Sequence, residues 1–342
     1  MNSTAFLRCL AIMVIVNSHS EAFYPVAHLA TGGAIGNSLF FTLSSFGLYF
    51  SEQKSPRAFV DWYSRRIARI YPTLWVTLVV LLFPMLLYQR ELRFDHLLEY
   101  AGEFFYPNSR WWFLNALLVY YFFLFYIIKN YSHKKLATAA VSGMSLYIFA
   151  YFNFIDLSVW TVEDYLPFKL IFYFSMFLFG VYLAAKQSQM TYSFGKDTLL
   201  LAGFIILMYG HKYLMTKGLP FSTQFIQQLL LFPIVYYFFK VSQSEVISIK
   251  LMNVPVVSQV ITFIANITLE IYLVHILLLP PFRQMDLPFP LDWALFIAIT
   301  LTLAVLIHYL TQRLVGFLTL GAQKSAPVVV ESPVTQIYHG TN

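Results

Sequence analysis

Apolar residues run along this chain in long unbroken stretches rather than in alternation. Ten such stretches stand out, near residues 4–20, 32–50, 71–88, 111–128, 135–152, 168–186, 197–215, 223–240, 255–280 and 290–318. Most approach the roughly 20 mostly apolar residues that a helix needs to cross a bilayer. Strands of an outer-membrane barrel would alternate apolar and polar residues instead. The pattern predicts an all-α fold, a polytopic membrane helix bundle of about ten transmembrane helices. The first stretch is short enough to suggest a secretory signal, but a signal carries its charge ahead of the apolar run and ends in small residues. Here Arg8 sits inside the run and VNSHSEAF follows, so the segment reads as a retained helix. Residues 51–70, SEQKSPRAFVDWYSRRIARI, interleave Arg65, Arg66 and Arg69 with Phe59, Trp62, Tyr63 and Ile67. That is the pattern of an interfacial amphipathic helix running into the third span. Residues 1–320 then form one membrane domain and 321–342 a short disordered cytoplasmic tail.

Composition agrees and narrows the class. Of 342 residues, 59% are hydrophobic, 19% aromatic and 11% charged, against about 25% charged in soluble domains. A soluble globular protein, a disordered chain and a nucleic-acid binder are excluded. The single cysteine, Cys9, excludes a disulfide framework and a cysteine metal site. The net charge of +6 says less than its distribution. With a cytoplasmic N-terminus, 15 of the 22 Lys and Arg fall on the cytoplasmic side and 7 on the other, while Glu91, Asp95, Glu99, Glu103, Asp156, Glu163 and Asp164 fall in outer loops. This bias predicts both termini inside and an even span count in an inner or plasma membrane.

Ionisable groups within spans are costly and mark function by default. Arg8 and His19, 11 residues apart, differ by about 20° after three helical turns and by about 16 Å along the axis. They share one face near opposite membrane boundaries. A snorkelling arginine and an interfacial histidine would explain the same pair. Asn17, Ser18, Ser20 and Glu21 surround His19 and could orient an imidazole. Glu270 and His275 lie about 140° apart on a helix and do not share a face, whereas Asn266 and Glu270, at i and i+4, do. Helix-to-helix hydrogen bonding is the alternative for this group. The Arg65, Arg66 and Arg69 cluster could anchor the positive-inside loop, bind anionic lipid, or hold phosphates, since guanidinium forks match phosphate oxygens. Trp111 and Trp112 read as an interfacial belt or a sugar-stacking platform. No phosphate-binding loop, dinucleotide fingerprint, zinc-protease motif or serine-hydrolase elbow occurs.

Taken in order, these passages resemble the acyltransferase-3 family, integral-membrane proteins that O-acylate cell-surface carbohydrates. RCLAIMVIVNSH fits the family's Arg, ten residues, then His in the first helix. SLFFTLSSFGLYF is similar to its second helix, FVDWYSRRIARIYPTLW to its entry into the third, and WWFLNALLVYY and LEIYLVH to its fourth and a late helix. Two positions depart from the pattern. Ser44-Ser45 stands where the family has Ser-Gly, and Thr4 or Ala5 where it has an acidic or polar residue. The resemblance implies acyl-CoA, usually acetyl-CoA, as a cytoplasmic donor substrate, with no bound cofactor and no metal, and a carbohydrate hydroxyl as acceptor. It implies His19 as general base and Arg8 on the thioester carbonyl or a CoA phosphate. Arg66 and Arg69, with Arg65, would hold CoA phosphates, and His275 with Glu270 would be a second proton-handling group. O-antigen, exopolysaccharide and lipid-linked glycan are all compatible acceptors. A secondary transporter or flippase for a polar solute or lipid-linked sugar would use the same residues as a polar pathway, and should show paired interrupted helices. A structural subunit of an export complex would need none of them.

Overall fold

The computed structural model describes residues 2–84, 111–130, 133–159, 162–285 and 287–325. Among them the chain is helical and contains no strand. The helices are α1 (Asn2–Ser18), α2 (Gly33–Lys54), α3 (Phe59–Thr77), α4 (Trp112–Asn130), α5 (His133–Phe154), α6 (Leu166–Lys186), α7 (Phe194–Thr216), α8 (Phe225–Gln243), α9 (Pro255–Asn266), α10 (Thr268–Arg283) and α11 (Leu291–Ser325). Each of the ten predicted stretches coincides with a helix, except that the ninth is two. The end of the third stretch and the outer loop carrying Arg90, Glu91, Arg93, Asp95, Glu99, Glu103 and Arg110 lie outside the described residues, as does the tail from 326. α11 continues past the expected boundary at 320 to Ser325.

Among the described residues, five segments are each long and apolar enough to cross a membrane: Trp112–Asn130, Leu166–Gln189, Phe194–Thr216, Phe221–Gln243 and Leu291–Leu318. The pair α9 and α10 makes a sixth if it counts as one broken span. The two are bent by 66° at Ile267, whose φ of −106° and ψ of 20° leave the helical register. Asn266 and Thr268 flank the break. Residues that bond local backbone weaken a helix interior and favour its ends. The i, i+4 face expected for Asn266 and Glu270 is therefore wrong, because the two residues lie on different helices.

Polar and small residues set the closest approaches. On α2, Thr42 Oγ1 donates to the carbonyl oxygen of Met176 at 3.0 Å, and Ser45 Oγ donates to that of Phe177, both on α6. Gly180 allows this contact, since a Cβ there would collide with the carbonyl oxygen of Thr42. The serine that departs from the family's Ser-Gly thus faces a glycine on the partner helix, and close packing survives with the roles exchanged. The fully buried Asp197 accepts the backbone N–H of Ser193 at 2.8 Å and Lys240 Nζ at 2.7 Å. One carboxylate therefore caps α7 and ties it to α8.

The basic stretch 51–70 is not one helix. α2 runs on to Lys54, and the turn after it is held by Glu52, whose Oε1 accepts the backbone N–H of Arg57 at 3.3 Å and lies 3.6 Å from Lys129 Nζ on α4. The amphipathic helix starts at Phe59, with Trp62 fully buried and Arg65 and Arg69 exposed. Trp111 and Trp112 depart from the belt reading. Trp111 is 2% exposed. Trp112 packs in an aromatic cluster with Phe41, Phe113 and Tyr173, under the Lys169 ammonium at 4.6 Å.

Candidate functional site

Two constellations gather the polar residues that the apolar background isolates. The first is a cavity of about 810 Å³ at one end of the bundle, lined by Thr4 and Arg8 of α1, the C-terminal half of α2, Arg66 and Arg69 of α3, and Asn266 and Thr268 at the α9–α10 break. Among the described residues, three arginines face it and no carboxylate does. Arg66 stacks its guanidinium over Trp62, 5.0 Å from the ring centroid, and its buried Nε and Nη2 make no hydrogen bond. Buried donors without partners are rare in folded proteins, and a guanidinium fork is shaped for phosphate or carboxylate oxygens. Phe40, Leu43, Phe46, Phe113 and Leu117 give the cavity apolar walls, so its chemistry suits a ligand with an anionic head and a less polar arm. Arg65, predicted with the other two, is exposed and does not line the cavity. On a helix it points about 100° away from Arg66.

The second constellation joins α1 to α10. His19 Nδ1 lies 2.9 Å from His275 Nε2, with the ring planes 10° apart and the centroids 5.1 Å apart. That separation with that N···N distance means the rings meet edge to edge in nearly one plane. The partners assign the protons. His275 is fully buried and its Nδ1 is 3.0 Å from the carbonyl oxygen of Ile271. A carbonyl only accepts, so Nδ1 of His275 carries the proton and Nε2 the lone pair. His19 must then donate from Nδ1, which leaves His19 Nε2 unprotonated. His19 is only half-buried. A neutral imidazole whose second nitrogen is pinned by a hydrogen bond is poised to take a proton.

Tyr272 links the two regions. It lines the arginine cavity, packs on Phe113 at 5.3 Å between centroids and on His275 at 5.7 Å. α1 and α10 run in the same direction, each from the cavity towards the histidines. The shared face predicted for Arg8 and His19 would need α1 to run through His19, but α1 ends at Ser18 and His19 begins the turn after it; the helix and this turn together contribute to both regions.

Glu270 and His275 are not brought together. Glu270 Oε1 instead meets His308 Nδ1 on α11 at 2.8 Å, and Gln312 Nε2 approaches the other histidine nitrogen at 3.4 Å. This corrects the expectation of a Glu270–His275 proton-handling unit, since the five-residue offset already set them on different faces. Sequence reasoning passed over His308 and also His211, which approaches Thr223 Oγ1 at 3.0 Å. Both histidines sit inside predicted apolar stretches, and the rule that flagged His19 and His275 applied to them equally.

An all-helical bundle with several membrane-length apolar helices and an arginine-lined interior is a multi-pass membrane protein. A family model described as an acyltransferase domain matches residues 4–309, nearly the whole chain, and the chain belongs to this acyltransferase-3 family. Membership implies acyltransferase activity. No curated protein and no solved structure matches it.

Proposed function

We propose that the protein is an O-acyltransferase, in its simplest form an O-acetyltransferase, that moves an acyl group from cytoplasmic acyl-CoA to a hydroxyl of a cell-surface polysaccharide or lipid-linked glycan. The observation that carries this reading is the 810 Å³ cavity that, among the described residues, has three arginines, no carboxylate and two unpartnered donors on Arg66. CoA has the matching chemistry, an anionic phosphate head and a slender arm ending in the thioester. Arg66 and Arg69 hold the phosphates, and Arg8, one to two turns inside the bundle, meets a phosphate or polarises the thioester carbonyl. The arm passes the apolar walls towards Tyr272. His19 Nε2 takes the proton of the acceptor hydroxyl as its oxygen bonds to the thioester carbonyl carbon. The carbon–sulfur bond then breaks, and His19 returns the proton to the departing CoA sulfur. His275 holds His19 in the required tautomer. On this reading the arginine cavity opens to the cytoplasm, both termini lie there, and ten crossings of the inner or plasma membrane place His19 at the outer end of α1.

The test is purified protein in nanodiscs with acetyl-CoA and a glycan acceptor. Release of CoA that depends on both substrates supports the proposal. Passage of solute across vesicles with no consumption of acetyl-CoA would sink it in favour of transport. A transporter of the inverted-repeat kind has two interrupted helices, and among the described residues one such pair, α9 and α10, is bent.

A further inference from the structure

A second, smaller cavity of about 210 Å³ lies at the other end of the bundle. Three helices show the separation. Along α1, Thr4 and Arg8 line the large cavity and Ser18 the small one, about 15 Å further on. On α8, Gln243 lines the large cavity and Gln227 and Leu231 the small one. α2 adds Gly33–Ile35 to the small cavity and Ser44, Gly47, Leu48 and Ser51 to the large one. The small cavity therefore begins one residue before His19 and on the histidine end.

Its polar lining residues are balanced in charge: Glu163, Lys212, Gln227, Tyr209, Thr31 and Ser18, beside an apolar wall from Ile35, Met208 and Leu231. Glu163 is anchored by a side-chain hydrogen bond from Tyr173. Gln227 is held through Nε2, which is 3.2 Å from His211 Nδ1, so its amide oxygen points the other way. Thr31 Oγ1 donates to Tyr209 OH at 2.8 Å, leaving the tyrosine proton for a further acceptor. The α1–α2 connector forms a backbone wall because it can lie flat on α1. Gly32 has φ +102°, and a Cβ on Gly33 would sit 2.7 Å from Ser18 Oγ. One acid, one ammonium, an amide and a phenol in a small space match vicinal hydroxyls, which both donate and accept. They do not match a phosphate, for which the other cavity is built.

We propose that this second cavity is the acceptor subsite, a binding site for one neutral pyranose unit of the acceptor glycan, with Glu163, Lys212, Gln227 and Tyr209 as its polar contacts. It rests on the acyltransferase reading and adds where the acceptor docks and that its docked unit is an uncharged sugar. The route is short in sequence: Ser18 touches the sugar site and His19 bears the base.

The chain's single cysteine, Cys9, is buried, so an introduced cysteine can be followed by alkylation alone. Lys212→Cys and, independently, Gln227→Cys are labelled with a maleimide in nanodiscs, with methyl hexopyranosides and CoA as the probes. A saturating hexoside should slow labelling about fivefold in both variants through occupancy of the site, while CoA leaves the rate unchanged. Adding Glu163→Gln to Lys212→Cys should remove the protection. No protection by any hexoside in either variant overturns the subsite, as does equal protection by CoA. The wild-type protein separates the two claims. If it releases CoA from acetyl-CoA with a glycan but neither cysteine is protected, only the subsite falls. If it releases none, the acyltransferase reading falls, whatever the pocket binds.

Discussion

The two ends of this bundle handle polarity in opposite ways. At the arginine end three like charges converge on one cavity with no carboxylate among the described residues, and Arg66 keeps two buried donors unsatisfied. At the histidine end three of the four ring nitrogens have an assigned partner, with His275 held by the Ile271 carbonyl and His19 Nδ1 by His275, and the adjoining pocket mixes Glu163 with Lys212. A cluster of like charges is incomplete by itself and gains from an anion arriving from outside. A chain of neutral hydrogen bonds is complete and instead fixes a proton's position. The difference separates binding from chemistry, and each half can be attacked alone.

The largest expected effect is at the histidine end. His19→Ala should lower the rate of glycan-dependent CoA release about a thousandfold, the loss typical of a general base, with little change in KM for acetyl-CoA. An equal fall in donor affinity would merge the two ends and break the comparison. His275→Ala should cost about a hundredfold in kcat, less than His19 itself because the base survives in a mixture of tautomers. Partial recovery with His275→Gln, whose amide oxygen can still accept from His19 Nδ1, would sharpen the positioning role. A loss equal to that of His19 would give both histidines direct chemistry.

Between the ends, Gly180→Ala should destabilise the protein by about 2 kcal/mol, because its Cβ must displace the Thr42 carbonyl at the α2–α6 contact. Thermal unfolding in detergent reads this directly, and an unchanged midpoint would show that the helices separate freely there. At the arginine end, Arg66→Ala should raise the KM for acetyl-CoA about tenfold, the value of one charge-assisted contact, and leave kcat nearly intact. Arg65→Ala, by contrast, should change that KM less than about twofold, since an exposed charge outside the cavity is screened by solvent. Equal effects from Arg65 and Arg66 would return the cluster to a general electrostatic patch.

The helices themselves were legible from the apolar runs, because a membrane span must satisfy its backbone internally and so writes its length into hydropathy. The reach from Arg8 to His19 was legible for a related reason. Arg8 lies on α1 and His19 in the turn that directly follows it, so the rise between them follows closely from spacing along the helix. The same arithmetic failed at Asn266 and Glu270 because the helix between them breaks, and apolar periodicity carries no mark of a 66° bend. It had nothing to say about Arg65 against Arg66, neighbours whose difference depends on which one α3 turns towards Trp62 and the cavity. Trp111 and Trp112 misled for the converse reason: their place at the start of a span suggested a lipid boundary, but Trp111 is buried and Trp112, partly exposed, packs among Phe41, Phe113 and Tyr173.

By itself, then, the sequence determined the medium, the helices, the charge asymmetry and the positions that are expensive to place in lipid, all of which depend on residues near one another in the chain. Only the tertiary structure decided which expensive residues meet. The pairing of His19 with His275 spans 256 positions and that of Glu270 with His308 spans 38. Each is set by how separate helices pack, a property of side-chain shape across an interface rather than of spacing along a chain.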